Sequence, residues 1–348
     1  MSAVASSGAG APAPPIVDID DKRPAALQRV LALQQRMPLL QLVALVIVSV
    51  YGALTVDGLT SSSSIRLILV LAALAGLASV GQTLLILLGG FDLSVSGFIV
   101  GGALIVTQVA SRFHWSFAEA LIIALVGAAI LGAIAGQICH RLDVNPLIIT
   151  LAIGTVAVGL AQTQTPGGLT YGASAPRWLV TLSSSGTDTF GIPVPPLVVI
   201  WAVVAILMTI FLSRSVIGAR LMATGANRGA ADYSLIKTRR IWTVTFAFSA
   251  VMSVIVGLFV AGSGGAITND AGDPYLFQSV IAVIVGGTVF GGPGSYGRTV
   301  IGALFLTVLN NVLLGHGASA SDQQIIYGVA ILVAVGLYSR DRRVRDDI

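Results

Sequence analysis

The sequence predicts an all-α polytopic membrane protein with about ten transmembrane helices, some of them short or broken. Hydrophobic residues make up 55% of the 348 residues, and only 10% of the residues are charged. A soluble globular domain carries about 25% charged residues, so this chain has too little polar surface to cover a soluble fold. The 40 glycines point the same way, because small residues let membrane helices approach closely.

The first residues of the chain are small, proline-rich and without periodicity. We expect residues 1–36 to form a disordered cytoplasmic tail, because they lack the basic start and long apolar core of a signal peptide. Residues 37–340 are predicted to form the transmembrane domain, and residues 341–348 a short cytoplasmic C-terminal tail.

Ten segments approach the length of about 20 mostly apolar residues that a spanning helix needs. In chain order they are 38–56, 65–88, 94–110, 118–139, 146–165, 196–213, 241–262, 276–290, 299–315 and 323–339. The segment 276–290 is the shortest, so we expect a partly inserted or broken helix there. About eight to ten of these segments are expected to cross the membrane.

The lysines and arginines predict the orientation. With a cytoplasmic N-terminus and ten spans, 16 of the 19 basic residues fall in cytoplasmic segments. The outside then keeps only Arg66, Arg112 and Arg177. Because basic residues accumulate on the cytoplasmic side, both termini of this multi-pass membrane protein are predicted to be cytoplasmic.

Asp92 is the only charged residue between Arg66 and Arg112. An aspartate at the centre of a membrane helix costs about 2.5–3.5 kcal/mol on insertion scales, so a break is expected beside it, at Gly89 and Gly90. The break would be either a turn at the cytoplasmic face or a stretch that lines a cavity. Asp92, together with Ser94, would cap the next helix, or Asp92 would take part in gating or in a polar path.

A weak internal repeat marks a second break. GFIVGGALIVTQV (97–109) and GRTVIGALFLTVL (297–309) share six identities in 13 positions, and each follows a glycine-rich stretch. Matched breaks of this kind indicate the pathway of a transporter; chance similarity between helices rich in glycine and alanine is the alternative. The predicted path or gate residues are Gly89, Gly90, Asp92, Ser94, Gly286, Gly287, Gly291, Gly292, Asn310 and Asn311. For the two asparagines, hydrogen bonding between helices is the alternative.

The loop at 214–240 is much longer than a connection of about two to eight residues and carries six basic residues. Asn227 is placed to cap a short helix within it. Ala230, Ala231 and Ser234 would then lie within one turn of each other, as a small-residue surface for a partner. The alternative is a basic loop that only fixes the membrane topology.

From about residue 38 to 338 the chain resembles the membrane permease subunits of ATP-binding-cassette (ABC) importers for simple sugars, of the ribose, xylose and galactose type. The resemblance is carried by GGFDLSVSG (89–97), NPLIITLA (145–152), VGGTVFGGPGS (285–295) with GALFLTVLNN (302–311), and SDQQIIYGVAILVAV (321–335). In addition, GANRGAADYSLI (225–236) is similar to the family's coupling helix, which sits in a cleft of the ATPase subunit. We call residues 225–236 the coupling segment.

This resemblance implies a set of residues that contact the ATPase. They are Gly225, Asn227, Ala230, Ala231, Ser234 and Ile236, with Asp232 as a nearby carboxylate. The chain departs from the family's pattern at Gly229, where Glu is usual, and at Leu235, where Gly is usual. These departures put an ionic contact to the ATPase in doubt and suggest a partner specific to this system.

The resemblance also implies the partners: cytoplasmic ATPase subunits, a second permease subunit that is identical or paralogous, and a solute-binding protein outside the membrane. Membrane lipid surrounds the chain, and no nucleic acid is involved. Two permease copies are expected to place 89–97 and 286–297 opposite each other along a shared axis. The solute would be a monosaccharide or a similar small polar molecule.

The sequence contains no G-x-x-x-x-G-K-[ST] phosphate-binding loop, so ATP must be used by partner subunits rather than by this chain. No catalytic residue, metal site or bound cofactor is predicted. The alternatives are a secondary transporter driven by ions and a channel. An ion-driven transporter generally carries acids within the membrane, whereas Asp92 is expected at the edge of a span.

Overall fold

The computed structural model of the protein describes residues 38–163, 175–264, 268 and 270–339. These residues form helices joined by short connections, with one isolated β-bridge between Thr189 and Ile192. The predicted all-α class is confirmed. The predicted tails at 1–36 and 341–348 lie outside the described residues.

Thirteen helices occur in the described ranges. They are α1 (Leu39–Thr55), α2 (Ser62–Leu88), α3 (Val95–Phe113, with a π-helical turn at Ile105–Val109), α4 (Phe117–Leu142), α5 (Pro146–Thr163), α6 (Arg177–Ser183), α7 (Pro196–Arg214), α8 (Val216–Ala226), α9 (Arg228–Tyr233), α10 (Thr238–Gly264), α11 (Asp273–Val285), α12 (Tyr296–Gly315) and α13 (Ala320–Ser339). A helix occupies each of the ten segments predicted to span.

Seven helices of the described ranges are long and apolar enough to cross a bilayer: α2 to α5, α7, α10 and α12. Helices α1 and α11 are apolar but shorter. Large apolar side chains on the outer helices are exposed, as lipid-facing positions require; they include Ile47 on α1, Ile122 and Ile130 on α4, Leu160 on α5 and Ile206 on α7. The multi-pass architecture follows from this combination.

Helix α11 differs from its predicted bounds of 276–290, because it ends at Val285. Gly287 adopts a φ of +91°, and its N–H donates to the Ile284 carbonyl oxygen at 2.9 Å. The Thr288 N–H reaches back to the Val283 carbonyl oxygen at 3.1 Å, which completes a Schellman motif. With 13 residues, α11 is about 20 Å long, shorter than the hydrocarbon core of about 30 Å. The expected short helix is therefore present.

Helices α2, α3 and α10 form the buried centre of the bundle. Their backbones approach closely at glycines. A Cβ atom at Gly257 of α10 would lie 2.2 Å from the Ile99 carbonyl oxygen of α3, and one at Gly81 of α2 would lie 2.3 Å from Ser249 Oγ of α10. Such distances leave no room for a side chain, so glycine sets the spacing of the central helices.

Basic residues concentrate at one end of the bundle. This end holds the turn at 89–94, the connection at 143–145, helices α8 and α9 and the connection at 286–295, and its basic residues include Arg141, Arg214, Arg220, Arg228, Lys237, Arg239, Arg240 and Arg298. The opposite end carries an ion pair between Arg66 Nη2 and Asp188 Oδ1 at 2.7 Å. This asymmetry is the one that membrane insertion imposes on cytoplasmic and external loops.

The glycine spacing of α10 is testable with a matched pair of variants. Gly257→Ala should destabilise the protein by about 1–3 kcal/mol, because the added methyl group overpacks the contact with Ile99. Gly127→Ala in α4 is the control: no atom lies within 4 Å of its Cβ position, so this variant should be neutral or slightly stabilising. Thermal unfolding in detergent measures both, and equal midpoints for the two variants would contradict the packing argument.

Candidate functional site

Helix α2 ends at the first of the two predicted breaks. Gly89 adopts a φ of +84°, and its N–H donates to the Ile86 carbonyl oxygen at 3.1 Å. The Gly90 N–H donates to the Leu85 carbonyl oxygen at 2.7 Å. This is again a Schellman motif, and its left-handed position suits glycine because a Cβ atom is disfavoured there.

After Gly89 the chain turns back along α2, and α3 begins only at Val95. The Asp92 N–H donates to Gln82 Oε1 of α2 at 3.3 Å, and the Leu93 N–H donates to Thr150 Oγ1 of α5 at 3.0 Å. Side chains of two neighbouring helices thus satisfy two backbone N–H groups of this non-helical stretch. Irregular backbone inside a membrane bundle requires such partners.

The Asp92 side chain is buried, with 1% of its surface exposed. Its Oδ1 accepts hydrogen bonds from the Ser94 N–H at 2.8 Å and from the Ser94 hydroxyl. Its Oδ2 accepts from Ser249 Oγ, in the middle of α10, at 2.6 Å. The carboxylate therefore ties the start of α3 to α10 through hydroxyl and amide donors.

The expectation that Asp92 and Ser94 cap α3 is corrected by this geometry. The carboxylate binds the N–H of Ser94, which precedes α3, and the Ser94 side chain makes no cap hydrogen bond. Asp92 and Ser94 therefore do not cap the first turn of α3. The expectation that Asp92 lies at the edge of a span stays a prediction: Asp92 lies in the connection between α2 and α3, and its partner Ser249 is buried.

Two buried polar side-chain atoms at the breaks lack a hydrogen-bond partner within the described residues. Gln82 Nε2 and Thr288 Oγ1 are buried and make no hydrogen bond within the described residues. Gln82 lies beside Asp92 through its Oε1 contact with the Asp92 N–H. Within the same ranges, no three His, Cys, Asp or Glu side chains gather in a way that could hold a metal ion.

The second predicted break packs directly against the first within one chain. The Gly291 N–H donates to the Ile86 carbonyl oxygen at 2.8 Å, and the rings of Phe91 and Phe290 stack with their centroids 4.9 Å apart. A Cβ atom at Gly291 would lie 3.8 Å from Gly89 Cα. These contacts bring the two segments together within one chain, in which α2 packs against α11 and α12. The expected arrangement of two permease copies along a shared axis stays a prediction.

The coupling segment packs against both breaks. A Cβ atom at Gly225 would lie 1.9 Å from the Leu87 carbonyl oxygen near the end of α2, and one at Gly291 would lie 2.9 Å from the Gly225 carbonyl oxygen. Gly89, Gly225 and Gly291 thus meet at one point, which we call the glycine junction. Two other predicted path glycines lie outside this junction. Gly286 packs against the Arg298 backbone, and Gly292 packs against the Val289 side chain.

Helix α9 of the coupling segment is firmly attached to the bundle. The predicted cap is confirmed, because Asn227 Oδ1 accepts from the Ala230 N–H at 2.9 Å. Arg228 forms an ion pair with Asp143 Oδ1 at 3.1 Å and donates to the His140 carbonyl oxygen at 2.7 Å. These contacts fix α9 on the end of α4.

The predicted small-residue surface of α9 is only partly outward-facing. Ala230 and Ser234 are exposed, but Ala231 is buried with 4% exposure. Ile236 is half-buried, and the Asp232 carboxylate accepts from Thr238 Oγ1 at 2.6 Å. The expectation of one continuous surface is therefore wrong at Ala231, because this methyl group packs inside the chain.

Asn310 and Asn311 lie away from the glycine junction, in the half of α12 that packs against α1. There, a Cβ atom at Gly52 of α1 would lie 2.4 Å from a methyl carbon of Val312. Asn311 Nδ2 donates to the Thr307 carbonyl oxygen of its own helix at 2.8 Å. Asn310 Oδ1 is buried and accepts no hydrogen bond within the described residues. Neither asparagine belongs to the cluster around the two breaks.

The link between Asp92 and α10 is testable with two serines of that helix. Ser249→Ala removes a hydrogen bond to a buried carboxylate and should cost about 1–3 kcal/mol of stability. Ser253→Ala is the control, because Ser253 Oγ donates only to the Ser249 carbonyl oxygen of its own helix, at 2.9 Å. Unfolding midpoints in detergent distinguish them, and a Ser253→Ala loss as large as that of Ser249→Ala would refute the link.

The glycine junction is testable in the same manner. Gly225→Ala should lower the unfolding midpoint, because its methyl group has no room against the Leu87 carbonyl oxygen. Gly229→Ala should fold as the parent chain does, since the nearest atom to its Cβ position, Asn227 Oδ1, is 3.5 Å away. If Gly225→Ala unfolds at the parent temperature, the junction is not tightly packed.

The chain is similar to known permease proteins over most of its length. The family model described as branched-chain amino acid transport system / permease component matches residues 64–335. The ribose import permease protein of Haemophilus influenzae is 34% identical, over 74% of this chain and 79% of its own length. The D-allose transport system permease protein of Escherichia coli is 27% identical, over 84% and 88% respectively.

The galactofuranose transporter permease protein of Escherichia coli is 29% identical over 86% of this chain and 89% of its own length. No solved structure matches the chain. The family match extends from the start of α2 into α13 and therefore includes both breaks and the coupling segment. This multi-pass membrane protein belongs to the family of branched-chain amino acid transport system permease components.

Proposed function

We propose that the chain is the permease subunit of an ABC importer in the bacterial inner membrane, and that it forms the path for a monosaccharide or a similar small polar solute. Separate ATPase subunits supply the energy, and this chain performs no catalysis itself. The observation that carries the proposal is the glycine junction. It places the coupling segment in contact with both breaks in the helices.

The junction supports a direct mechanical link. Gly225 has no free space toward Leu87, and the Gly225 carbonyl oxygen abuts Gly291. When the ATPase subunits close on ATP, a push on α9 is passed to the end of α2 and to the connection 286–295, because close-packed elements do not deform independently. The two breaks would then move together and open the path to the other side of the membrane.

The relatives support the class of solute. Their names state ribose, D-allose and galactofuranose, which are all sugars. The buried polar groups at the breaks, Gln82, Asp92, Ser94, Ser249 and Thr288, are few and mostly bonded to each other. We therefore assign solute selection mainly to a solute-binding protein outside the membrane, and only passage to this chain.

A second permease subunit completes the path in this proposal. The glycine junction is formed by one chain, so the second subunit is not required to bring the breaks together. It would supply the opposite wall of the path and a second coupling segment for the second ATPase subunit. The basic end of the bundle, which carries α9, faces the cytoplasm.

One observation favours an ion-driven secondary transporter as a second candidate. Asp92 is a buried carboxylate within the bundle, and such residues mark proton and ion relays. Against this role, both of its oxygens accept hydrogen bonds from serines of the same chain. Membership of the permease component family favours the ATP-driven importer.

Sugar uptake by reconstituted vesicles tests the proposal. Vesicles that contain this chain, its ATPase subunits and its solute-binding protein should accumulate a radiolabelled pentose or hexose only when ATP is enclosed. Uptake should persist when ionophores collapse the ion gradients, and the purified chain alone should not hydrolyse ATP. Uptake that needs an ion gradient and ignores ATP would support the secondary transporter instead.

Crosslinking tests the docking of α9 on the ATPase subunit. A crosslinker attached through Ala230→Cys should capture that subunit, because Ala230 is exposed on α9. Ala231→Cys is the matched control, since its buried side chain should react poorly. Capture from the buried position but not from the exposed one would show that α9 docks in another orientation.

A further inference from the structure

A cavity opens between α4 and α10 at the basic end of the bundle. Its volume is about 550 Å³, and it is lined by Gln137 and His140 of α4, by Asp232 of α9 and by side chains of the segment 237–244 at the start of α10. Pockets of roughly 300–1,000 Å³ hold small ligands or parts of larger ones. We call this space the α4–α10 cavity.

Contacts between α4 and α10 hold the walls of the cavity in place. A Cβ atom at Gly136 would lie 2.7 Å from the Trp242 carbonyl oxygen, so the two helices touch just above the cavity. At the cavity itself, Arg239 Nη2 donates to Gln137 Oε1 at 3.3 Å, and His140 Nε2 lies 3.0 Å from Thr238 Oγ1. The cavity is therefore formed before any ligand enters it, which lowers the entropic cost of binding.

The charges of the cavity select for an anion. Lys237, Arg239 and Arg240 line it and are exposed, and none of the three forms an ion pair within the described residues. The carboxylate in the lining, Asp232, accepts from Thr238 Oγ1 at 2.6 Å. Three cations thus face one carboxylate, and guanidinium and ammonium groups are the usual protein partners of phosphate oxygens.

The cavity lies where the basic end of the bundle meets its lipid-facing surface. Helix α10 has 27 residues and is about 40 Å long, longer than the hydrocarbon core of about 30 Å. The charged residues of its first turn therefore lie at the level of the lipid headgroups. Val244 is four residues after Arg240, on the same face of α10, and is 56% exposed; Ile134 of α4 is 43% exposed. An apolar surface thus continues from the cations toward the bilayer.

We propose that the α4–α10 cavity binds the headgroup phosphate of an anionic phospholipid. Lys237, Arg239 and Arg240 hold the phosphate, and the acyl chains lie along the exposed apolar side chains of α4 and α10. Basic pockets between membrane helices at the cytoplasmic side bind anionic headgroups in this way. The inference concerns a lipid site and depends neither on the solute nor on the energy source of transport.

The surroundings of the cavity favour a phospholipid over a soluble phosphate. A soluble phosphate would meet the cations alone, whereas a phospholipid also covers Val244 and Ile134, which are exposed beside them. Burial of apolar surface adds to the charge attraction. A lipid bound here contacts both α4 and α10, and because it binds only the folded chain it should also stabilise the fold.

The test titrates the delipidated full-length chain, in a neutral detergent, with phosphatidylglycerol or phosphatidylcholine and counts bound lipids by native mass spectrometry. The parent chain should bind phosphatidylglycerol at least tenfold more tightly than the zwitterionic lipid. The double variant Lys237→Gln/Arg240→Gln should lose about tenfold or more of its phosphatidylglycerol affinity, because each cation beside an anionic headgroup contributes about fivefold. Its affinity for phosphatidylcholine should not change. Equal affinity of the parent chain for the two lipids would overturn the inference.

Arg214→Gln/Arg220→Gln is the matched control. It removes the same two charges from the same end of the bundle, at exposed positions that do not line the cavity. Its phosphatidylglycerol affinity should stay within about twofold of the parent value. Without lipid, both double variants should unfold at the parent temperature, because exposed side chains contribute little to stability. Equal loss of affinity in the two double variants would show that net charge alone attracts the lipid, and would overturn the inference.

Two further measurements identify the occupant. Glycerol 3-phosphate, which has the phosphate without the acyl chains, should not displace phosphatidylglycerol at equal concentration; displacement would assign the cavity to a soluble phosphate and overturn the inference. Phosphatidylglycerol should raise the unfolding midpoint of the parent chain and of Arg214→Gln/Arg220→Gln, but not that of Lys237→Gln/Arg240→Gln. Release of the bound lipid when ATPase subunits assemble on the chain would assign the cavity to that protein contact, and the lipid site would again be refuted.

Discussion

Backbone groups that leave a helix inside a membrane bundle need hydrogen-bond partners, and this requirement shapes the centre of the molecule. At the end of α2, a single carbonyl group provides a partner for both breaks. The Ile86 oxygen accepts hydrogen bonds from the N–H groups of Gly89 and Gly291. The side chains of Gln82 and Thr150 accept from the N–H groups of Asp92 and Leu93. Because the two breaks share the Ile86 carbonyl oxygen as an acceptor, they form one structural unit.

Close packing also connects this unit to the coupling segment, so that the two should move together. Gly225 brings the coupling segment against the same end of α2, at a distance that even an alanine would violate. An element with no free space beside its neighbours moves with them. The glycines that permit broken helices therefore also connect the cytoplasmic segment to the membrane path.

Asp92 shows how a carboxylate is accommodated away from water. Burial of an unpaired charge is costly unless hydrogen bonds compensate it. Three donors from Ser94 and Ser249 surround the two carboxylate oxygens. These hydrogen bonds attach the start of α3 to α10, two of the most buried helices. Asp92 therefore stabilises the packing of the bundle in addition to lying at the break between α2 and α3.

The sequence by itself determined the features that depend on neighbours along the chain. Apolar length predicts the ten helical segments, the glycine pairs predict both breaks, and Asn227 predicts the cap of α9. Only the tertiary structure decided how distant segments meet: that Gly89, Gly225 and Gly291 share one junction, that Ser249 reaches Asp92, and that Ala231 turns inward while Leu235 turns outward. Helix ends and periodicity depend on residues that are close in sequence, so local patterns predict them. Contacts between distant helices depend on how whole helices pack, and single-residue propensities do not predict that packing.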